Sequence, residues 1–248
     1  MESFEAELDR ARDLDVAALA DAIESIGFEC TRCGACCKAV EGCDDEDGSA
    51  DRDGEGEHTG HDHVATVFPD EVRRLQRAAA GRDGTDYDWR DVARPMPYGL
   101  ADGPEGPEGE TFEWALQTDD CGDCRFYAEA DEAGGESGRG RCTVHADRPL
   151  VCRTYPFSVA LGGTSQPMGE AVDGEGLVRA HECEGLGREI SRADAEELAA
   201  ALKERAVREL EEAVAVRDEY EPVATAPGEV VVHDSEGTKR PDGSAVDR

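Results

Sequence analysis

Lysine is almost missing from this chain: Lys38, Lys203 and Lys239 are the only three in 248 residues. Aromatic residues make up 5% and all apolar residues together 38%. The core available per residue is therefore small, and a small core calls for a staple such as a metal. No apolar run approaches the roughly 20 residues that span a bilayer, so a membrane protein is not expected. The opening Met-Glu-Ser-Phe-Glu-Ala-Glu has neither a basic nor an apolar export region, which points to a cytoplasmic protein. A glycine-rich nucleotide motif, a nucleophile–base signature and a cofactor box are missing too. The sequence thus assigns no reaction.

Positive charge is scarce against negative: 26 basic residues face 59 acidic ones, a net charge of −33. The acidity is spread along the chain, as on a solvated surface suited to high salt. Such a surface repels phosphate backbones, which excludes nucleic acid as a partner. A protein partner and the oligomeric state are left unspecified.

Cysteine is what the chain has in excess. Four of its ten lie within eight residues, at Cys30, Cys33, Cys36 and Cys37, and the rest are Cys43, Cys121, Cys124, Cys142, Cys152 and Cys183. In a reducing compartment such density means metal rather than disulfides, and soft sulfur donors favour zinc or an iron–sulfur cluster. Two residues between Cys30 and Cys33 let both sulfurs face one metal, and Gly34 allows the positive φ of the tight turn. A bacterial ferredoxin run would need a fourth cysteine at position 40, where the chain has Val40. Side chains of neighbours diverge, so the Cys36–Cys37 doublet suggests a multinuclear site, two adjacent sites, or one ligand plus a redox-active thiol.

A second group comprises Cys124, Cys142 and Cys152. Arg141, Arg148 and Arg153 against Asp147 give segment 141–158 a net charge of +2. A metal with four thiolates is commonly an anion, so Arg148 and Arg153 are expected beside it, bonding its sulfurs or an anionic ligand. His145 is a ligand or a packing residue, with packing favoured. His58, His61 and His63 read as part of a solvated acidic loop. Cys121-x-x-Cys124 could be a second knuckle, and Cys43 has no evident partner.

Along the chain, residues 2–26 have the apolar spacing of one amphipathic helix, with Gly27 as its stop. Residues 41–62 form an acidic, glycine-rich insert. Thr66–Phe68 is a strand candidate, followed by a helix from Pro69. Thr111–Leu116 is another strand candidate, and segments at 124–127 and 141–144 should form two short strands across a glycine-rich loop. Ser191 and Asp194 cap a helix over 191–220 that carries Leu198, Leu202, Ala206, Leu210 and Val214 in one stripe. Residues 221–248 are polar and read as a disordered tail. The expected architecture is α+β: an irregular metal-stabilised domain over 28–190 with short strands, flanked by an N-terminal helix at 1–27 and the C-terminal helix.

Taken together, these residues resemble the YkgJ-like CxxCxxCC family of zinc- or iron-chelating cysteine-cluster proteins. The match is carried by Phe28 to Cys37, Val67 to Leu75, Cys124 to Tyr127, Cys142 to Phe157, and Cys183-Glu-Gly185-Leu-Gly187. The resemblance spans roughly residues 26–190 and implies one metal-binding set: Cys30, Cys33, Cys36, Cys37, Cys124, Cys142, Cys152 and Cys183. The long insert and the extra Cys43 and Cys121 depart from it.

The leading reading is a cytoplasmic metal-binding protein holding an iron–sulfur cluster, of the 4Fe-4S type, or zinc. Ligands from both cysteine groups would tie distant parts of a small core together. Two other readings are an Fe–S-dependent oxidoreductase, with Arg148 or Arg153 holding an anionic group, and a zinc-stabilised interaction module that docks a partner through its C-terminal helix.

Overall fold

The computed structural model describes residues 3–39, 62–128, 140–161, 169–172 and 176–246. Cys43, His58, His61 and nearly all of the 41–62 insert lie outside them. Two hydrophobic clusters organise the chain, and the architecture is α+β.

The first cluster is helical. α1 (Phe4–Asp13) and α2 (Val16–Ile26) pack on the long α5 (Arg192–Glu219). One helix was expected over 2–26, but the chain breaks at Leu14–Asp15. The Asp15 carboxylate accepts the Ala17 N–H at 2.9 Å and starts a second helix, the competition with regular helix that acidic side chains offer. Lys203 of α5 reaches the Leu14 carbonyl that the break frees, at 2.7 Å. Ser191 caps α5 by accepting the Asp194 N–H at 3.1 Å. Leu202, Ala206 and Leu210 are buried in this cluster, so the apolar stripe of α5 is used inside the molecule and is not a free docking face. β8 (Phe157–Val159), β9 (Glu170–Ala171) and β10 (Val178–Ala180) form an antiparallel sheet against these helices.

The second cluster is built on α3 (Pro69–Asp83) and the antiparallel sheet of β1 (Thr66–Val67), β5 (Trp114–Leu116) and β2 (Ala93–Pro95). Trp89 meets Trp114 edge-on, with ring centroids 5.0 Å apart. The expected strand at Thr111–Leu116 is divided: Thr111 ends β4 (Gly106–Thr111), the chain turns a corner, and Trp114 opens β5. β6 (Tyr127–Ala128) and β7 (Arg141–Cys142) pair antiparallel, as expected for the two central segments.

The C-terminal segment is ordered, which corrects the expectation of a disordered tail. β11 (Val230–Asp234) and β12 (Gly237–Lys239) form a hairpin. β11 pairs in parallel with β4, which pairs in turn with β3 (Ala101–Gly103). The average polarity of the tail hid a run of three β-branched residues, of which Val231 and Val232 are fully buried. Buried Asp234 accepts from Trp114 Nε1 at 2.8 Å and from Lys239 Nζ at 2.7 Å. Replacing Asp234 with Ala strands the buried Trp114 N–H and leaves Lys239 with Glu236 alone, at 2.7 Å, and is expected to cost about 3 kcal/mol. The loss will show as a lower urea midpoint at high salt.

Candidate metal centre

All eight free cysteines of the described residues line one cavity of about 390 Å³. They reach it from five stretches of chain, and each stretch is held by local hydrogen bonds. Residues 28–29 pair with 185–186: Phe28 bridges Leu186, and the Glu29 N–H donates to the Gly185 carbonyl at 3.0 Å. This brings Cys30 and Cys33 alongside Cys183. A Cβ at Gly185 would lie 2.3 Å from the Glu29 oxygen, so only glycine permits the approach. Phe28 packs edge-on against Phe157, centroids 5.7 Å apart, which anchors this segment in the first cluster.

Gly34 has φ 83°, and a Cβ there would stand 2.5 Å from the Tyr127 hydroxyl. The turn closes with the Cys37 N–H on the Gly34 carbonyl at 2.7 Å, and the Cys124 N–H donates to the Cys37 carbonyl at 2.8 Å. The β6–β7 pairing then places Cys142 opposite Tyr127, three residues from Cys124. Cys152 sits on the short α4 (Leu150–Thr154), which starts just after Pro149.

The position of α4 is set from α3. Fully buried Glu71 accepts the Leu150 N–H at 2.9 Å and the Phe68 N–H at 3.2 Å. Its neighbour Arg74 donates to the Arg148 carbonyl at 3.2 Å. Burial raises the Glu71 carboxyl above its ordinary value, while the two N–H groups pull it back. One carboxylate thus fixes both the start of α3 and the segment that carries Arg148 and Cys152.

The thiols are electrostatically unequal. Cys36 Sγ and Cys37 Sγ are 3.8 Å apart, so the doublet does not diverge as neighbouring side chains were expected to. The S–H of Cys37 bonded to Cys36, helped by the Arg148 guanidinium, draws Cys36 down to about 7. Cys37 keeps its proton and is pushed up by that bond and by burial. Burial pushes Cys124 up to about 12 and raises Cys142, Cys152 and Cys183. Against burial, three of them receive a backbone N–H from the residue two places on. Gly185 donates to Cys183 Sγ at 3.4 Å. The N–H groups of Phe126 and Val144 act in the same way on Cys124 and Cys142. N–H groups aimed at sulfur stabilise thiolate, the form that binds metal.

Arg148 and Arg153 both line the cavity. The charge of Arg148 favours thiolate at Cys36, Cys142 and Cys152. His145 lies at the wall and is exposed. Two sequence readings are corrected. Cys121 is disulfide-bonded, so Cys121-x-x-Cys124 is not a metal knuckle; its N–H donates to the Asp119 carboxylate at 2.9 Å, and it does not line the cavity. His63 is not a solvated loop residue. It lines the cavity, its Nε2 is buried without a hydrogen-bond partner, and burial beside Arg94 holds its imidazole near 4. The apolar Val64-Ala65 that follows it was the signal that residue 63 enters the core.

The donor set suits a soft metal: many thiols, N–H groups aimed at sulfur, and an unpartnered imidazole nitrogen. Among the described residues no three His, Cys, Asp or Glu side chains stand close enough to hold an ion as placed. Ligation would therefore draw sulfurs inward from the cavity wall. No helix among the described residues is long and apolar enough to cross a membrane.

A family profile described as "Putative zinc- or iron-chelating domain", CxxCxxCC, matches residues 29–184. The chain belongs to this family. No curated protein and no solved structure matches it.

Glu71→Ala should leave two buried N–H groups without an acceptor and cost about 2–3 kcal/mol. Glu71→Gln keeps one acceptor oxygen but turns its NH2 toward the other N–H, and should cost about half of that. Chemical denaturation of the metal-loaded proteins separates the two cases.

Proposed function

We propose that this chain is a cytoplasmic metal-binding protein whose cavity thiols hold an iron–sulfur cluster, of the 4Fe-4S type, or zinc. The observation that carries this reading is the convergence of eight cysteines, from residue 30 to residue 183, on one cavity. Chain segments so far apart have no packing reason to bring all their thiols together. Thiolates at these positions would repel one another, and a bound cation removes that repulsion and releases the thiol protons.

The cavity lies where the two hydrophobic clusters meet. Phe28 and Leu186 belong to the first, while Cys124, Phe126 and Val144 belong to the second. A metal there joins the two halves of a small core. An iron–sulfur centre would supply one-electron transfer, and zinc would supply the structural link alone. Arg148 and Arg153 would offset the negative charge of a thiolate centre or hold an anionic ligand beside it. A net charge of −33 makes nucleic acid an unsuitable partner.

Purification without oxygen at high salt, followed by metal and acid-labile sulfide analysis, tests the reading. Brown protein with iron and sulfide is expected for the cluster form. Colourless protein with stoichiometric zinc would exclude it and leave the structural form. Protein that binds neither metal would overturn the proposal.

A further inference from the structure

The eight cavity thiols divide into two groups of four by where they are anchored. Cys124 is buried in the second cluster, and Cys37, Cys142 and Cys152 pack against it. Among the described residues, Cys30, Cys33, Cys36 and Cys183 belong to neither cluster. Cys30 and Cys36 are exposed.

Backbone pairing follows the same division. Cys37 is tied to Cys124 by the hydrogen bond between their main chains, and Cys142 lies across from Tyr127 in the β6–β7 pair. Cys152 follows Cys142 within ten residues, through a single turn of 3-10 helix at His145–Asp147. Separately, Cys30 and Cys33 are brought to Cys183 by the pairing of Phe28 with Leu186. Cys36 stands at the join of the two groups, its sulfur 3.8 Å from that of Cys37.

We infer that the cavity holds two metal centres, each with four thiolates. The inner one takes Cys37, Cys124, Cys142 and Cys152. The outer one takes Cys30, Cys33, Cys36 and Cys183. The vicinal pair is split between them. The inference rests on the metal-binding reading above and adds number and partition to it. Four thiolates complete the shell of a tetrahedral zinc ion and equally of an iron–sulfur cluster, so eight exceed what one centre takes. The inner set packs on the Trp114 cluster and contains the one buried thiol of the eight, Cys124. The outer set contains the two exposed ones, Cys30 and Cys36, which are within reach of a chelator or a metal donor.

The full chain, loaded with Zn(II) under reducing conditions at high salt, gives the test. About two zinc ions per chain are expected, leaving to a chromophoric chelator in two phases of equal size. Cys183→Ser should remove the fast phase and keep one slowly released ion. Cys142→Ser should remove the slow phase; if that variant does not fold, Cys183→Ser and the wild-type phases carry the test alone. Loss of all zinc from Cys183→Ser, or release in a single phase, would overturn the partition while leaving metal binding intact. Wild-type protein that takes up neither zinc nor iron would instead overturn the metal reading on which the partition stands.

Discussion

Thiols gathered in a closed space have few ways to be stable. As thiolates they repel one another. As thiols they waste donors in a cavity that protein atoms would otherwise fill. Burial raises the thiols of Cys124, Cys142, Cys152 and Cys183 above their ordinary values, and the bond to Cys36 together with burial raises that of Cys37, one side of this conflict. The N–H groups of Phe126, Val144 and Gly185 are placed for the other state, in which sulfur is anionic. The local backbone is thus built for a charge that only a cation makes affordable. Proton release and metal uptake are two sides of one equilibrium.

The rest of the architecture is arranged around this cavity. Neither hydrophobic cluster is large, as expected for a chain with 5% aromatic residues. The helical cluster brings in Cys30 and Cys183 through Phe28 and Leu186, while the sheet cluster holds Cys37, Cys124, Cys142 and Cys152. α5 spans both: it packs on α1 and α2, and its Arg208 lies over the Phe68 ring at 4.4 Å and pairs with Asp70 of α3. Beyond this helix, the junction is made by the cysteine loops themselves. In the proposed reading, metal would do for the seam what buried apolar area does elsewhere.

Much of this was legible in the residues, for reasons of range. Cysteine spacing between 30 and 37 is a local code, and so is the strand–turn–helix around Pro69. The pairing of Cys30 with Cys183 was not readable from spacing, because over 150 residues separate them; only the resemblance to a known family joined them. The hairpin at 230–239 was missed because its three valines were averaged into a polar tail. The break at Leu14–Asp15 was missed because apolar periodicity continues across it while the Asp15 cap acts locally. His63 was read by its acidic neighbours on one side, although the apolar residues on the other decide its burial.

X-ray absorption at the metal edge of the protein as purified tests the central claim most directly. The account predicts a first shell of four sulfurs at about 2.3 Å for zinc or iron. A shell dominated by oxygen and nitrogen would contradict it, because the cysteines would then not be what holds the metal.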